Sequence, residues 1–198
     1  MTVHQNTESN PNKVDKLVLD ACCGGRMFWY DKSNPIVVFQ DQRSVQQCIV
    51  GEGKNARAFE VQPDVLGDFR DMKFPNESFF SVIFDPPHLS SAGSTSYMAI
   101  KYGKLNLATW KDDIRKGFAE CFRVLKENGT LVFKWNEVQH PLSDLLKLTH
   151  YSPLVVHVSG KKSKTHWAIF IKNEAMKKSE NTPLFEEATH QPTNHFLT

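Results

Sequence analysis

The 198-residue chain has no apolar run approaching the ~20 residues that a membrane-spanning helix needs. Its first dozen residues, Met1 to Asn12, are polar and carry no apolar signal segment. A dominant charge is also missing. The 24 Lys and Arg against 22 Asp and Glu leave a formal +2, so no global field announces a polyanionic partner. Cysteine is sparse: Cys22, Cys23, Cys48 and Cys121 include no Cys-x-x-Cys pair, which argues against a zinc site. The simple expectation is reduced thiols in a cytoplasmic protein with no metal and no membrane contact. Neither Gly-x-G-x-x-Gly nor Gly-x-x-x-x-Gly-Lys-Ser/Thr occurs, so nothing in the chain prepares a pyrophosphate or nucleotide-phosphate cradle.

What is present is an alternation of short apolar runs and helical patterns. Lys16 to Leu19 reads as a strand ending at Asp20, followed by the small-residue turn Ala21-Cys22-Cys23-Gly24-Gly25. Arg26 to Lys32 is expected to make one or two helical turns before Ser33-Asn34-Pro35 stops them. Ile36 to Phe39 is a second strand ending at Gln40-Asp41. Val65-Leu66 before Gly67-Asp68 is the best candidate for a third, and Phe79 to Phe84 is the fourth.

Residues 89–106 read as a long loop, and loops of that length are often functional. Between Leu107 and Lys126, the positions Ile114, Phe118, Cys121, Phe122 and Leu125 recur at spacings of three and four and predict a helix. Glu127-Asn128-Gly129 reads as its stop. Leu131 to Trp135 is a fifth strand and Pro141 to Leu148 a second helix. Leu154–Val158 and Trp167–Ile171 predict a hairpin around a Gly-Lys-Lys-Ser-Lys loop. The organisation is a polar arm over 1–14, one α/β domain over 15–173 and a polar tail over 174–198. Strands alternating with helices predict a mainly parallel sheet.

The predicted strand ends carry acids in order: Asp20, Asp41, Asp68 and Asp85. Taken singly, an Asp at a strand end is a turn former or a helix cap. Taken together, they crowd the sheet edge where open parallel sheets bind ligands. Asp41, 21 residues after Asp20, is placed to accept from both hydroxyls of a ribose. Gly24 and Gly25 let backbone approach a ligand closely. After Ser81-Val82-Ile83-Phe84, the tetrapeptide Asp85-Pro86-Pro87-His88 ends the ladder, because proline lacks an N–H and restricts the residue before it. That turn presents a carboxylate and carbonyls, acceptors suited to a planar group bearing an NH2.

Asp85-Pro86-Pro87-His88 resembles the Asp/Asn-Pro-Pro-aromatic signature of the amino-methyltransferases. These are class I S-adenosylmethionine-dependent enzymes that methylate exocyclic or amide nitrogens. The resemblance spans about residues 15–172 and implies a Rossmann-like sheet of seven strands, mainly parallel, with an antiparallel C-terminal hairpin. It implies S-adenosylmethionine as cofactor, held by Asp20, Ala21, Cys22, Gly24, Gly25 and Asp41, with Asp68 and Phe69 at the adenine. It also implies catalysis at Asp85, Pro86, Pro87 and His88. Two departures stand out. The first motif reads Cys22 and Cys23-Gly24-Gly25 where the family carries an aromatic and Gly-x-Gly, and His88 replaces the usual Tyr, Phe or Trp.

The expected activity is N-methylation of a nucleic-acid base, with adenine N6 in DNA first. An RNA base or a protein glutamine amide are alternatives. A methyltransferase-fold subunit that binds without catalysing remains open, as does, more distantly, a nicotinamide oxidoreductase. Substrate contacts are sought among Tyr97, Lys101, Tyr102 and Lys104 and among Lys161, Lys162 and Lys164. Both groups mix cations with aromatic or polar residues, as nucleic-acid surfaces do. Trp110, Trp135 and Trp167 sit in periodic elements and are expected in the core.

Overall fold

The computed structural model describes residues 15–51, 53–93, 96–159, 162, and 164–179; the arm over 1–14, residues 180–198 of the tail, and Lys161 lie outside them. In order, the chain forms β1 (Val18–Asp20), β2 (Val37–Asp41), β3 (Val45–Val50), β4 (Arg57–Val61), β5 (Val65–Leu66), β6 (Phe79–Phe84), α1 (Tyr97–Tyr102), α2 (Trp110–Val124), β7 (Leu125–Asn136), α3 (Leu142–Leu146), β8 (Val155–Ser159) and β9 (Thr165–Ile171). Seven strands make one sheet in the order β5-β2-β1-β6-β7-β9-β8. All adjacent pairs from β5 to β7 are parallel, and β9 runs antiparallel to both β7 and β8. This is a mainly parallel, Rossmann-like sheet of seven strands. Only β9 is reversed; β8 runs with the parallel set, so the C-terminal hairpin contributes one antiparallel strand rather than two.

The sheet reverses its strand order at β1. The chain moves outward to β2 and β5, then returns to β6 and β7 on the other side. The C-terminal ends of β1, β2 and β6 meet at that switch point, where a crevice is left between diverging connections.

The main core lies on one sheet face. Ile114, Phe118, Cys121 and Phe122 of α2 share a helical stripe. They pack against Val82 and Phe84 of β6, Leu131 and Phe133 of β7 and Phe170 of β9. Trp135 is fully buried in this core and Trp110 nearly so, as expected; Trp167 is on the other sheet face, edge-on to Phe28. That face is covered differently. Cys23, Val37 and Phe39 form a small cluster roofed by Trp29, whose ring stands edge-on to Phe39 at 5.2 Å. The Arg26 guanidinium covers the same ring at 3.8 Å from its centroid.

Several local expectations are corrected. Arg26 to Lys32 is a series of turns, because Arg26 has φ +52° and its guanidinium closes the loop onto the Lys32 and Gln62 carbonyls. Residues 89–106 are not all loop: they include α1, none of whose residues is buried. β3 and β4 form a separate hairpin with its own cluster of Val50, Phe59 and Val61. Its strands escaped the periodicity argument because Val45–Val50 is exposed at four central positions and carries no alternating pattern. Glu127-Asn128-Gly129 lies inside β7, at a register shift against β6. There Asn128 takes φ +62°, and a Cβ on Gly129 would sit 2.8 Å from Leu125 Cδ1 and the Lys126 carbonyl. α2 therefore passes into β7 without an intervening loop. Residues 174–178 are anchored to the domain, with Ser152 N–H donating to the Met176 carbonyl and Lys178 Nζ to the Thr149 carbonyl. Among the described residues, no helix is long and apolar enough to cross a membrane.

Candidate active site

A cavity of about 270 Å³ opens at the C-terminal ends of β1, β2, β6 and β7. From the first motif it is lined by Cys22, Cys23, Gly24 and Gly25. Gly24 has φ +49°, and no atom lies within 4 Å of where its Cβ would be, so the turn leaves open space above its backbone. Asp41, at the end of β2, holds this turn in place. Its Oδ2 accepts from Gly24 N–H at 2.9 Å, and its Oδ1 accepts from Arg43 N–H at 2.9 Å and Nε at 3.2 Å. The glycine turn and the β2 acid are therefore one unit.

Asp20 is placed beneath that unit and does not line the cavity. It is fully buried, accepting from Trp29 Nε1 at 2.7 Å and from Cys22 N–H at 3.3 Å. Burial pushes its carboxyl up to about 7, against the two hydrogen bonds, with smaller contributions from Asp85 and Asp41. Ala21 is buried beside it, its N–H donating to the Ile83 carbonyl.

The adenine pair expected at Asp68-Phe69 divides. Phe69 lines the cavity and packs on Phe84 at 5.5 Å between ring centroids. Asp68 is forked with Arg70, Oδ2 to Nη2 at 2.6 Å, and Arg70 continues to Asp113 at 2.9 Å. The guanidinium holds Asp68 below the usual carboxylate range, and its carboxylate is committed outside the cavity.

Asp85, Pro86, Pro87 and His88 all line the cavity. The carboxylate of Asp85 is met by Lys134 of β7, Nζ to Oδ2 at 2.6 Å. Burial raises the Asp85 carboxyl, and Lys134 opposes that shift. His88 is half-buried between Tyr102 and Trp135, at ring separations of 5.8 and 6.4 Å. Burial, aided by the Lys134 charge, lowers its imidazole to about 4, so the ring is neutral at physiological pH. The next residues are clamped from β7's C-terminal loop. Gln139 Oε1 accepts from Ser90 and Ser91 N–H at 2.8 and 3.0 Å, and His140 Nε2 sits 2.8 Å from Ser90 Oγ.

Of the predicted substrate residues, Lys101 and Tyr102 line the cavity from α1. Tyr97 and Lys101 border a neighbouring groove of about 930 Å³ between the glycine turn and the β3–β4 hairpin, which also carries Arg26, Lys32 and Arg57. Lys104 turns away to the Ala92 carbonyl. Lys164 pairs loosely with Glu137 at 3.9 Å, and neither Lys162 nor Lys164 lines the cavity or the groove. The residues that sequence reasoning missed include Phe28, Arg43, Lys134, Asn136 and Thr165. A lysine within the otherwise apolar run Leu131–Trp135 was the one visible signal. Among the described residues, no group of three or more His, Cys, Asp or Glu side chains is placed to hold a metal ion.

The fold is similar to that of a Pyrococcus horikoshii OT3 protein, with TM-score 0.52 and 14% identity, covering 82% of this chain and 84% of that one. Lower scores relate it to a TehB-like SAM-dependent methyltransferase from Corynebacterium glutamicum (0.46, 16% identity, 80% and 82% covered). They also relate it to a Burkholderia thailandensis 1,6-didemethyltoxoflavin-N1-methyltransferase, solved with that compound and S-adenosylhomocysteine (0.47, 13% identity, 81% and 72% covered). No protein-family model and no curated protein matches the chain.

Proposed function

We propose that this chain is an S-adenosylmethionine-dependent N-methyltransferase whose acceptor is the exocyclic amino group of a nucleic-acid base, adenine N6 in DNA being the first substrate to test. The observation that carries the reading is that Asp41, the open Gly24-Gly25 turn and the Asp85-Pro86-Pro87 turn face one cavity. The residues present fit the cofactor. Asp41 offers acceptors to ribose hydroxyls, Phe69 offers an apolar wall to adenine, and the bare backbone at Gly24 admits a chain close to the sheet edge. When bound, the cofactor supplies an electrophilic methyl on a sulfonium.

The protein's part is acceptance and alignment. An aromatic amine is a poor nucleophile, because its lone pair is delocalised into the ring. Hydrogen bonds from the NH2 to Asp85 and to the Pro86 carbonyl favour a pyramidal nitrogen and free that pair. The same acceptors stabilise positive charge as it develops on nitrogen. Among the described residues, only Lys134 hydrogen-bonds the Asp85 carboxylate, and it does so through Oδ2, which leaves Oδ1 for the amine. His88 and Tyr102 supply a neutral aromatic wall against which a planar base stacks. Alignment of amine, methyl and sulfur supplies the remainder.

The groove beside the hairpin, with Lys32, Arg57 and Lys101, offers cations to a phosphate backbone at the mouth of the cavity. The test is transfer of labelled methyl from S-adenosylmethionine to adenine- and cytosine-containing DNA and RNA oligonucleotides and to a glutamine peptide. The expected result is label in a base, lost in Asp85→Ala. Cofactor binding with no labelled acceptor, and a biological effect that survives Asp85→Ala, would favour a non-catalytic binding subunit.

A further inference from the structure

We propose that Lys134 is a positioning residue that keeps Asp85 an ionised acceptor facing the cavity, an inference that rests on the N-methyltransferase reading of this site. β6 and β7 are parallel neighbours with Phe84 opposite Phe133, so the next residues, Asp85 and Lys134, emerge side by side at the sheet edge. Lys134 sits in a strand whose neighbours Leu131, Phe133 and Trp135 are fully buried, and its own side chain is only 23% exposed. A lysine so placed costs desolvation free energy and is seldom there for solubility. Its ammonium lies 5.5 Å from the centroid of Phe28 and 5.7 Å from that of Trp167. These rings hold the cation where it meets Oδ2 of Asp85 at 2.6 Å.

The groups around Asp85 make the need for that cation plain. From β1 comes Asp20 and from the turn after it Cys22, from β2 Asp41 with Arg43 bound to it, from its own turn His88, and from α1, across the cavity, Lys101 and Tyr102. The Cys22 thiol is pushed up by burial and stays neutral, and His88 is neutral. Two acids therefore lie on the β1–β2 side, and Lys134 is the cation in contact. Without it, the buried Asp85 carboxyl has no cation in contact, and desolvation favours its taking up a proton. The acid form turns one acceptor oxygen into an O–H donor and removes the negative charge, so its remaining carbonyl oxygen holds the amine, and the positive charge developing on it, less strongly.

An opposite charge at this range lowers a carboxyl pKa by about 1–3 units. Lys134→Met keeps the length and suits the Phe28–Trp167 slot. It is expected to raise the Asp85 pKa by about 1–3 units, read by carbon NMR of the carboxyl titration with Asp85→Asn as the assignment control. The low-pH limb of kcat/KM for methyl transfer to an adenine oligonucleotide is expected to move up by the same amount. The variant then loses roughly 10-fold or more below the new limb and recovers at high pH, while Lys134→Arg keeps both properties near those of the parent. An unchanged Asp85 titration in a folded Lys134→Met protein overturns the inference whatever the substrate proves to be. A pH-independent loss of activity also overturns it, because that is the signature of a purely structural lysine. A parent protein that methylates none of the acceptors tested counts against the N-methyltransferase reading, and the carboxyl titration still decides whether Lys134 governs Asp85.

Discussion

Gly117 on α2 sets helix propensity against packing, and the structure says which wins. In a helix interior, Gly→Ala is normally favourable by about 1 kcal/mol, since alanine has less backbone entropy to lose. At Gly117 the added Cβ would lie 2.5 Å from Phe84 Cζ and 2.8 Å from Phe69 Cδ2. Phe84 is fully buried among Phe69, Phe118 and Phe133, at ring separations of 5.5, 5.6 and 5.7 Å, and has nowhere to retreat. Overpacking of this kind costs about 1–3 kcal/mol. The net expectation for Gly117→Ala is destabilisation of about 0–2 kcal/mol, centred near 1, which lowers Tm by about 2–4 °C for a domain of this size.

Phe69 lines the cavity, so it is the ring that can yield, and it yields toward the cofactor. Affinity for S-adenosylmethionine should fall several-fold by calorimetric titration, alongside a reduced urea midpoint with unchanged slope. The exposed Ala119 on the same helix is the control: Ala119→Gly should cost about 1 kcal/mol and leave cofactor affinity alone. If Gly117→Ala raises Tm while cofactor affinity is unchanged, propensity has outweighed packing, and the rings under the cavity are looser than argued.

Four further outcomes are expected. Asp41→Ala should weaken S-adenosylmethionine binding by at least about tenfold, since it removes charge-assisted hydrogen bonds that also hold the glycine turn. Asp68→Ala should leave that affinity nearly unchanged, because Asp68 is occupied by Arg70; equal losses in titration calorimetry would refute the assignment. Asp20 is neutral in the fold up to about pH 7, whereas the unfolded carboxyl ionises near its ordinary value of 3.8. Its contribution is therefore fully present below about pH 4 and is lost as pH rises to about 7, so Asp20→Asn should gain stability relative to the parent between pH 5 and pH 8 in urea melts. His88 runs the other way: its folded value near 4 lies below the unfolded 6.5, so its contribution fades as pH drops through that window. Consequently the pH–rate profile should show no histidine limb near 6.5, and His88→Phe should keep the profile's shape between pH 5.5 and 8.

Much of the fold was legible because its signals are local. Apolar runs closed by Gly, Pro and Asp marked β1, β2, β5 and β6, and the three-and-four spacing of Ile114, Phe118, Cys121 and Phe122 marked α2. The β3–β4 hairpin was not legible, since β3 carries no alternating pattern and the short alternation of β4, Phe59-Glu60-Val61, has a partner only through the pairing of the two strands. The α2–β7 junction was misread for a related reason. Asn-Gly is a turn signal, and only pairing with β6 reveals it as an irregularity within a strand.

The chain's own order of residues determined which chemistry is on offer: acids at successive strand ends, glycines after the first, two prolines after the last. Only the tertiary structure decided which of those acids face a ligand. Asp41 and Asp85 open into the cavity, Asp20 is buried beneath it, and Asp68 is turned to Arg70. The reason is that a side chain's neighbours across a sheet come from strands far away in sequence. The meeting of Lys134 with Asp85, 49 residues apart, exists only through the register of β6 against β7.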